Sequence, residues 1–240
     1  MINGKKVLAI TLARKGSKGI PRKNIRNVCG KPLIMWTHDE AIKSSMIDDY
    51  IVSTDDEEII DMLCNNVSNV HVSTFLRSAK NASDKSPSSD AIREVLDAIK
   101  SDHVYIVELM CTNPMKTVED IDSCIRKLDE TKADSVVSVV RVLDQHPSRV
   151  KFIENDELFD FWPEEKESRR QDLKPDAFIR NGAIYAFTQS SFRTTGTRYG
   201  GIVRPYVMKE SINIDEPIDL VVAQELLKEK ARANFVYNSN

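Results

Sequence analysis

The chain has 240 residues, of which 41% are hydrophobic and 30% are charged, and its formal net charge is −3 at pH 7. This length can bury one substantial core, and the composition is typical of a soluble globular protein. The mildly acidic balance argues against nucleic-acid binding, and no segment approaches the ~20 consecutive apolar residues that span a membrane, so no membrane association is expected.

The four cysteines, at positions 29, 64, 111 and 124, are far apart in the sequence. No two of them have metal-ligand spacing, and the four histidines do not cluster with them, so a zinc site is not expected. Scattered thiols are typical of proteins in a reducing compartment. We therefore expect a cytoplasmic location.

Strand-like and helix-like patterns alternate through the first part of the chain. The predicted strands are residues 7–12, 50–54, 104–109 and 135–142, and the predicted helices are residues 33–44, 55–64, 91–100 and 117–128. Thr117 and Asp120 have the spacing of a capping box at the start of the last of these helices. This alternation predicts an α/β fold in which a mostly parallel sheet is covered by helices on both faces.

A basic loop follows the first predicted strand. Residues 13–24 read Ala-Arg-Lys-Gly-Ser-Lys-Gly-Ile-Pro-Arg-Lys-Asn and match neither the phosphate-loop motif nor the dinucleotide motif. Glycines let backbone amides approach an anion, and Arg and Lys supply the charge that a polyphosphate needs. Because open α/β sheets bind ligands where strands end, the loop predicts a nucleotide triphosphate site. A solvated basic turn is the alternative.

The pattern changes after residue 142. Residues 145–175 contain two short apolar runs, 150–153 and 158–162, between charge-dense spacers. Two short antiparallel strands fit this pattern better than another strand–helix–strand unit. Phe159, Phe161 and Trp162 would expose aromatic surface in a monomer, which favours a dimer contact over a solvated insertion.

The last part of the chain returns to the core. Residues 181–185 are predicted to form a strand in which Gly182 permits a close approach of a ligand or backbone. Residues 211–215 are predicted to form a short strand with Asn213 and Asp215 on the same face. A helix is predicted at residues 218–228, and Asp215 is placed to cap it.

The basic loop, followed by Gly30-Lys31-Pro32-Leu33, resembles the signature of the acylneuraminate cytidylyltransferases, or CMP-sialic acid synthetases. The resemblance extends to about residue 228. It implies a single nucleotidyltransferase domain over residues 1–240, with a three-layer fold of the nucleotide-diphospho-sugar transferase type, and a dimerisation arm at residues 145–175 of a homodimer. It also implies transfer of CMP from CTP to a sialic-acid-like 2-keto sugar acid, release of pyrophosphate, and Mg²⁺ as cofactor.

The resemblance assigns roles to particular residues. The residues implied to be catalytic are Arg14, Lys18, Lys23 and Asp215. The residues implied to bind the nucleotide are Arg14, Gly16, Ser17, Lys18, Lys23, Asn24, Arg77 and Ser88. The residues implied to bind the sugar acid are Met110, Arg149, Arg170 and Tyr185, and those implied to bind the metal are Asp215 and Asn213. Arg170 suits a carboxylate because a guanidinium can hold it bidentately, and a surface ion pair is its alternative role.

Two positions depart from the family pattern. Met110 stands where the family has a glutamine, and a thioether cannot hydrogen-bond a sugar as an amide does. Asn213 stands where the family has an aspartate, and its carbonyl oxygen ligates a metal without contributing charge. Two alternatives therefore stay open. One is a sister nucleotidyltransferase for legionaminate, pseudaminate, Kdo or an amino-sugar phosphate, and the other is a non-catalytic nucleotide-sugar-binding protein on the same fold.

Overall fold

The fold is described from a computed structural model. It describes residues 1–64, 70–162 and 169–238, and only the backbone is described for Cys64, Arg170 and residues 233–238.

The described residues form eleven strands and six α-helices. The strands are β1 (Val7–Leu12), β2 (Asn27–Val28), β3 (Lys31–Pro32), β4 (Asp49–Thr54), β5 (His71–Leu76), β6 (Tyr105–Leu109), β7 (Ser135–Val142), β8 (Lys151–Glu154), β9 (Glu157–Asp160), β10 (Ala177–Thr188) and β11 (Val203–Val207). The α-helices are α1 (Leu33–Ala41), α2 (Glu57–Cys64), α3 (Ser88–Ala98), α4 (Val118–Thr131), α5 (Gln189–Thr195) and α6 (Pro217–Asn238). Short 3₁₀ turns lie at Lys23–Ile25, Pro147–Arg149 and Arg170–Asp172.

Seven strands form the central sheet in the order β11-β7-β10-β6-β1-β4-β5. β10 runs antiparallel to both of its neighbours, and the other pairs in this sheet are parallel. Side chains alternate across β1, so Val7 and Ala9 pack with α1, α2 and α4, whereas Leu8 and Ile10 pack with α3 and α5. The predicted three-layer α/β fold with a mostly parallel sheet is confirmed.

Local sequence explains several of the element boundaries. β7 covers the predicted residues 135–142, where a run of valines suits a strand. The capping box at the start of α4 is present: the Asp120 backbone N–H donates to Thr117 Oγ1 over 3.2 Å, and the Thr117 N–H donates to Asp120 Oδ2 over 2.8 Å. Two orphan donors of the first helical turn are thereby satisfied.

The segment before the last helix differs from its prediction. Residues 211–215 form no strand, because their backbone runs alongside Thr112 and makes one bond there, from Ile214 N to Thr112 O over 2.8 Å. Asp215 does not cap α6. Asp219 Oδ2 accepts from the N–H groups of Asp215 and Glu216, over 2.9 and 2.8 Å, and so closes the first turn from within. α6 also extends beyond the predicted end at residue 228.

A third apolar cluster joins α6 to the basic loop. Its buried members are Ile20, Val28, Leu33, Met115, Ile214, Ala223 and Leu227. These residues come from the basic loop, the β2–β3 hairpin, α1, the segment after β6 and the C-terminal helix. Apolar burial therefore fixes the loop against residues far away in the sequence.

The two short strands predicted in the excursion form an antiparallel hairpin, β8–β9. Phe152 stacks on Phe159 at a centroid distance of 5.3 Å and meets the edge of Phe161 at 5.1 Å. Ile153 and Trp162 are 74% and 64% exposed. Residues 163–168 of the predicted arm lie outside the described residues. None of the helices in the described part of the chain has the length and apolar composition of a membrane span.

Candidate active site

The basic loop lies at the carboxyl end of β1, where β1 and β4 run side by side. The Lys15 N–H donates to Asp55 Oδ1 over 2.7 Å, which ties the loop to the residue after β4. Asn24 Nδ2 donates to the Arg14 carbonyl oxygen over 2.9 Å and closes the loop on itself. Of the small residues predicted to bind the nucleotide, Gly16 is exposed and Ser17 is half-buried. The loop is thus anchored at both ends with its small residues near solvent.

Two cations of the loop share one carboxylate. Arg14 Nη1 lies 2.8 Å from Asp84 Oδ1, and Lys18 Nζ lies 3.1 Å from Asp84 Oδ2. The hydrogen bond from Lys18, together with the charges of Lys18 and Arg14, holds the pKa of Asp84 below its ordinary value. An anionic oxygen pair therefore already lies between the two cations that were predicted to hold the triphosphate.

Asp84 is expected to compete with the nucleotide for Arg14 and Lys18. Replacing it with asparagine should lower the KM for CTP by roughly two- to fivefold, the modest effect typical of exposed ion pairs. Steady-state kinetics at constant ionic strength measure this change, with Asp90→Asn on the half-buried first turn of α3 as a control for the loss of one negative charge. A higher KM for CTP in Asp84→Asn would instead show that the carboxylate positions the cations.

Lys23 is directed at the segment that carries the predicted metal ligands. Its Nζ donates to the Ile214 carbonyl oxygen over 2.7 Å and to Asp215 Oδ1 over 2.8 Å, and its side chain is only 12% exposed. Asn213 Nδ2 donates to Asp215 Oδ2 over 2.5 Å, and Asn213 Oδ1 accepts from Thr112 Oγ1 over 2.7 Å. The structure thus brings Lys23, Asn213 and Asp215 into one hydrogen-bonded group.

Backbone contact brings this segment against the basic loop. A Cβ atom built on Gly19 would lie 2.3 Å from the Asp215 carbonyl oxygen, a distance that no side chain can occupy. On the other side, Gly182 of β10 has a φ of +61°, and a Cβ there would lie 3.4 Å from Asn213 Oδ1. Gly19 therefore allows residues 213–215 to pass close to the basic loop, and Gly182 adopts a positive φ that favours glycine.

A cavity of about 190 Å³ opens beside the loop. Its lining residues are Leu12, Arg14, Arg77, Asn81, Ser83, Asp84, Ser86, Pro87, Ser88, Ala91, Glu108 and Met110. Arg77 is buried, with Nη2 donating to the Ser53 carbonyl oxygen over 2.9 Å and Nε donating to Ser53 Oγ over 3.2 Å. Burial lowers the pKa of Arg77. Three predicted nucleotide-binding residues, Arg14, Arg77 and Ser88, thus share one cavity.

A second and larger cavity, of about 690 Å³, adjoins the first at Met110. Its lining residues are Met110, Val140, Ile179, Arg180, Asn181, Gly182, Tyr185, Arg198, Tyr199, Ser211, Ile212 and Asn213. Two of the predicted sugar-binding residues, Met110 and Tyr185, are among them. Arg149 is half-buried in its 3₁₀ turn and is not one of these lining residues, and the side chain of Arg170 lies outside the described part of the chain.

Sequence reasoning missed a buried ion pair between the cavities. Glu108, fully buried on β6, accepts a hydrogen bond from Arg198 Nη1 through Oε2. Burial raises the pKa of Glu108, although the charge of Arg198 acts against this shift. The signal available in the sequence was a single acid inside the otherwise apolar strand of residues 104–109, because a buried charge needs a partner.

Comparison with known proteins defines the class to which this site belongs. The fold is that of a CMP:2-keto-3-deoxy-manno-octonic acid synthetase solved in complex with CTP, with a TM-score of 0.69, 18% identity, and coverage of 94% of this chain and 99% of that one. The model of the cytidylyltransferase family matches residues 8–232. The chain belongs to the cytidylyltransferase family.

Two relatives have a higher sequence identity to this chain than that structure has. The chain is 34% identical over 226 residues to N-acylneuraminate cytidylyltransferase A of Danio rerio, covering 91% of this chain and 50% of the relative. It is 30% identical over 243 residues to the CMP-N,N′-diacetyllegionaminic acid synthase of Legionella pneumophila, covering 93% of this chain and 97% of the relative. The chain therefore spans about half the length of the N-acylneuraminate cytidylyltransferases that it matches and nearly all of the legionaminic acid enzyme.

Proposed function

We propose that the chain is an enzyme that transfers CMP from CTP to a sialic-acid-like nonulosonic acid and releases pyrophosphate. The observation that carries this proposal is the meeting of two cavities at Met110, one beside the cations of the basic loop and the other beside Asn213. The smaller cavity contains Arg14 and Arg77 and suits a charged nucleotide. The larger one suits a polar sugar, and the two substrates would lie side by side, with the reacting groups toward Asn213 and the proposed metal site.

The reaction proposed for this site is a single in-line displacement. The anomeric 2-hydroxyl of the sugar acid attacks the α-phosphorus of CTP and releases its proton to solvent. The new bond from the sugar oxygen to phosphorus forms, and the bond to the leaving pyrophosphate breaks. Arg14 and Lys18 hold the phosphate oxygens and stabilise the charge that collects on the leaving group. Lys23 keeps Asp215 in place. Positioning and charge stabilisation supply the rate, so no protein nucleophile is needed.

The residues present fit a magnesium ion. Mg²⁺ prefers oxygen ligands and is commonly held by one or two carboxylates together with substrate phosphates. Asp215 would supply a carboxylate ligand, which is 63% exposed. Asn213 directs its Nδ2 at that carboxylate and its Oδ1 at Thr112, so its amide would have to turn over to ligate the same ion. The described residues contain no cluster of three His, Cys, Asp or Glu side chains that could hold a metal by themselves, which matches a site completed by the nucleotide. When bound, the ion would neutralise phosphate charge.

The same proposal extends to assembly and location. The exposed aromatic and aliphatic side chains of the β8–β9 hairpin support its role as the contact arm of a homodimer. Among the described cysteine side chains, Cys29, Cys111 and Cys124 form no disulfide with one another, which supports a reducing cytoplasm as the working compartment.

A sister sugar acid is the second candidate substrate. Met110, in place of a polar residue, lies at the junction of both cavities and cannot donate a hydrogen bond to a sugar. The relative matched over nearly its whole length is named for N,N′-diacetyllegionaminic acid. Legionaminate-type acids are therefore tested beside sialic acid.

The proposed function is tested by pyrophosphate release from the purified chain with Mg²⁺. CTP, UTP and GTP are each paired with N-acetylneuraminate, N,N′-diacetyllegionaminate, pseudaminate, Kdo and glucosamine 1-phosphate. We expect release with CTP and one of the nonulosonic acids, at a rate at least about tenfold above that with UTP or GTP. Release with no preference for CTP would overturn the cytidylyl assignment, and binding of CTP without release from any pair would favour the non-catalytic alternative.

A further inference from the structure

A buried ion pair lies between the two cavities. Glu108 lines the smaller cavity, and Arg198 lines the larger one. Glu108 Oε2 accepts from Arg198, whereas Oε1 is buried and has no hydrogen-bond partner among the described residues. A buried carboxylate with one unsatisfied oxygen is destabilising. The pair therefore needs an explanation beyond stability.

The guanidinium of Arg198 lies over an aromatic ring and is partly exposed, with 18% of its side-chain surface accessible. Its Cζ lies 4.4 Å from the centre of the Tyr185 ring, and Nη1 lies 4.0 Å from Met110 Sδ. Tyr185 is the register partner of Glu108 across β10 and β6, so the ring and the carboxylate fix the guanidinium together. Both hydrogen bonds of Arg198 within the described residues leave from Nη1. Donors on Nε and Nη2 remain for a ligand, since a guanidinium carries five.

Arg198 lies away from the reacting end of the larger cavity. That end is marked by Asn213, which contacts Gly182 of β10. Tyr185, beneath Arg198, is three positions further along the same strand, a separation of roughly 7–10 Å. In a 2-keto sugar acid the carboxylate and the attacking hydroxyl are on the same carbon. Arg198 is therefore placed for a substituent on the far side of the sugar ring.

The surroundings of Arg198 favour one kind of substituent. The lining of the larger cavity combines cationic donors, Arg180 and Arg198, with apolar surface from Met110, Val140 and Ile179. None of the lining residues in the described part of the chain carries a carboxylate. The Arg180 guanidinium likewise stacks on Tyr199, at 4.7 Å. An acylamino group presents a carbonyl oxygen to such donors and an alkyl group to such apolar surface.

Building on the proposed function, we propose that Arg198 is a specificity-determining residue that hydrogen-bonds the carbonyl oxygen of an acylamino substituent on the sugar acid. Glu108 is a positioning residue that holds the guanidinium on Tyr185. The pair therefore selects acylated nonulosonic acids over those with a hydroxyl at the same position.

The test compares acylated and hydroxylated sugar acids in Arg198→Met and in the double variant Glu108→Gln/Arg198→Met, which leaves no charge of this pair buried. Arg193→Met is the matched control, because Arg193 forms a surface ion pair with Asp97 on α3. The probes are N-acetylneuraminate, N,N′-diacetyllegionaminate and 2-keto-3-deoxynonulosonate, which has a hydroxyl in place of the acetamido group. Calorimetric titration in the presence of the α,β-methylene analogue of CTP measures sugar binding without turnover. Steady-state kinetics give the KM for the sugar acid and the KM for CTP.

We expect both variants to weaken binding of whichever acylated acid binds more tightly to the unaltered protein. The expected loss is about tenfold or more, the effect of losing a charge-assisted hydrogen bond. Binding of the hydroxyl analogue should change by less than about threefold in both variants, and the KM for CTP should change by less than about twofold in Arg198→Met. Arg198→Lys should restore part of the affinity, and Glu108→Gln alone should raise the KM for the sugar.

Equal weakening of acylated and hydroxylated acids, or no weakening, would overturn the role of Arg198. So would a wild-type protein that binds none of the three acids. Arg198-dependent binding of an acylated acid without pyrophosphate release would contradict the proposed reaction and leave this inference standing. The two proposals therefore fail on different measurements.

Discussion

Replacing Gly19 with alanine is expected to lower the turnover of CTP by about a hundredfold, the effect of displacing reacting groups by ~1 Å. The new Cβ would lie 2.3 Å from the Asp215 carbonyl oxygen, so either the basic loop or the segment that contains Asp215 must move. The obstacle is backbone, which cannot rotate aside as a side chain can. Thermal melting should show a folded protein with a loss of about 1–3 kcal/mol, the usual cost of overpacking. Pyrophosphate release measures the effect on turnover.

Gly16→Ala is the matched comparison for this variant. It lies in the same loop, three positions earlier, and a Cβ there would meet no atom within 4 Å. We expect Gly16→Ala to retain at least about ten times the turnover of Gly19→Ala, because it adds the same methyl group without moving the backbone. Equal losses in the two variants would show that the loop needs glycine for flexibility and not for the approach to Asp215.

Replacing Asp215 with asparagine is expected to lower turnover by about a hundredfold to a thousandfold, a loss typical of removing one preorganised electrostatic contact. The change keeps the shape of the side chain but leaves two neutral amides, Asn213 and residue 215, where a divalent cation is proposed to bind. It also removes the ion pair with Lys23 at 2.8 Å. Initial rates over a range of Mg²⁺ concentrations should show that more metal is needed for half-maximal activity.

Glu216→Gln serves as the control for Asp215→Asn, since it removes the same charge one position later on an exposed residue. The control should keep the Mg²⁺ requirement of the unaltered protein. If Asp215→Asn loses turnover with an unchanged Mg²⁺ requirement, Asp215 acts through Lys23 and not through a metal. If both variants keep full turnover, the assignment of Asp215 as a catalytic residue is wrong.

The predicted fold depended on strong local patterns. β1 and β7 match their predicted ranges because unbroken apolar and β-branched runs are buried on both faces of a sheet. β5 was missed because His71–Leu76 has little hydrophobic pattern, as suits a strand at the sheet edge. Residues 211–215 alternate like a strand, but Ile212 and Ile214 pack against the cluster under α6 instead of a neighbouring strand. Alternation reports which side chains are buried and not what buries them.

The candidate site was predictable where its residues are contiguous. The basic loop and the Asn213–Asp215 pair have recognisable spacing, and the structure places them in contact through Lys23. The sequence around Arg198 does not indicate its role, because Arg198 pairs with Glu108, which is 90 positions earlier. Asp84 was missed for the same reason, since it meets Arg14 and Lys18 only after the chain has folded.

The base of the β8–β9 excursion has a consequence for how this chain can change over evolution. Val142 at the end of β7 and Ala177 at the start of β10 are register partners, so the chain leaves the sheet and returns to it at directly paired positions. For a segment closed in this way, doubling the length costs only about 0.6 kcal/mol of loop entropy. Insertions, deletions or exchange of the excursion therefore need not shift the strands that carry Tyr185 and Glu108. The excursion that is proposed to contact a second subunit and the strands that line the proposed substrate site are therefore separable parts of one polypeptide.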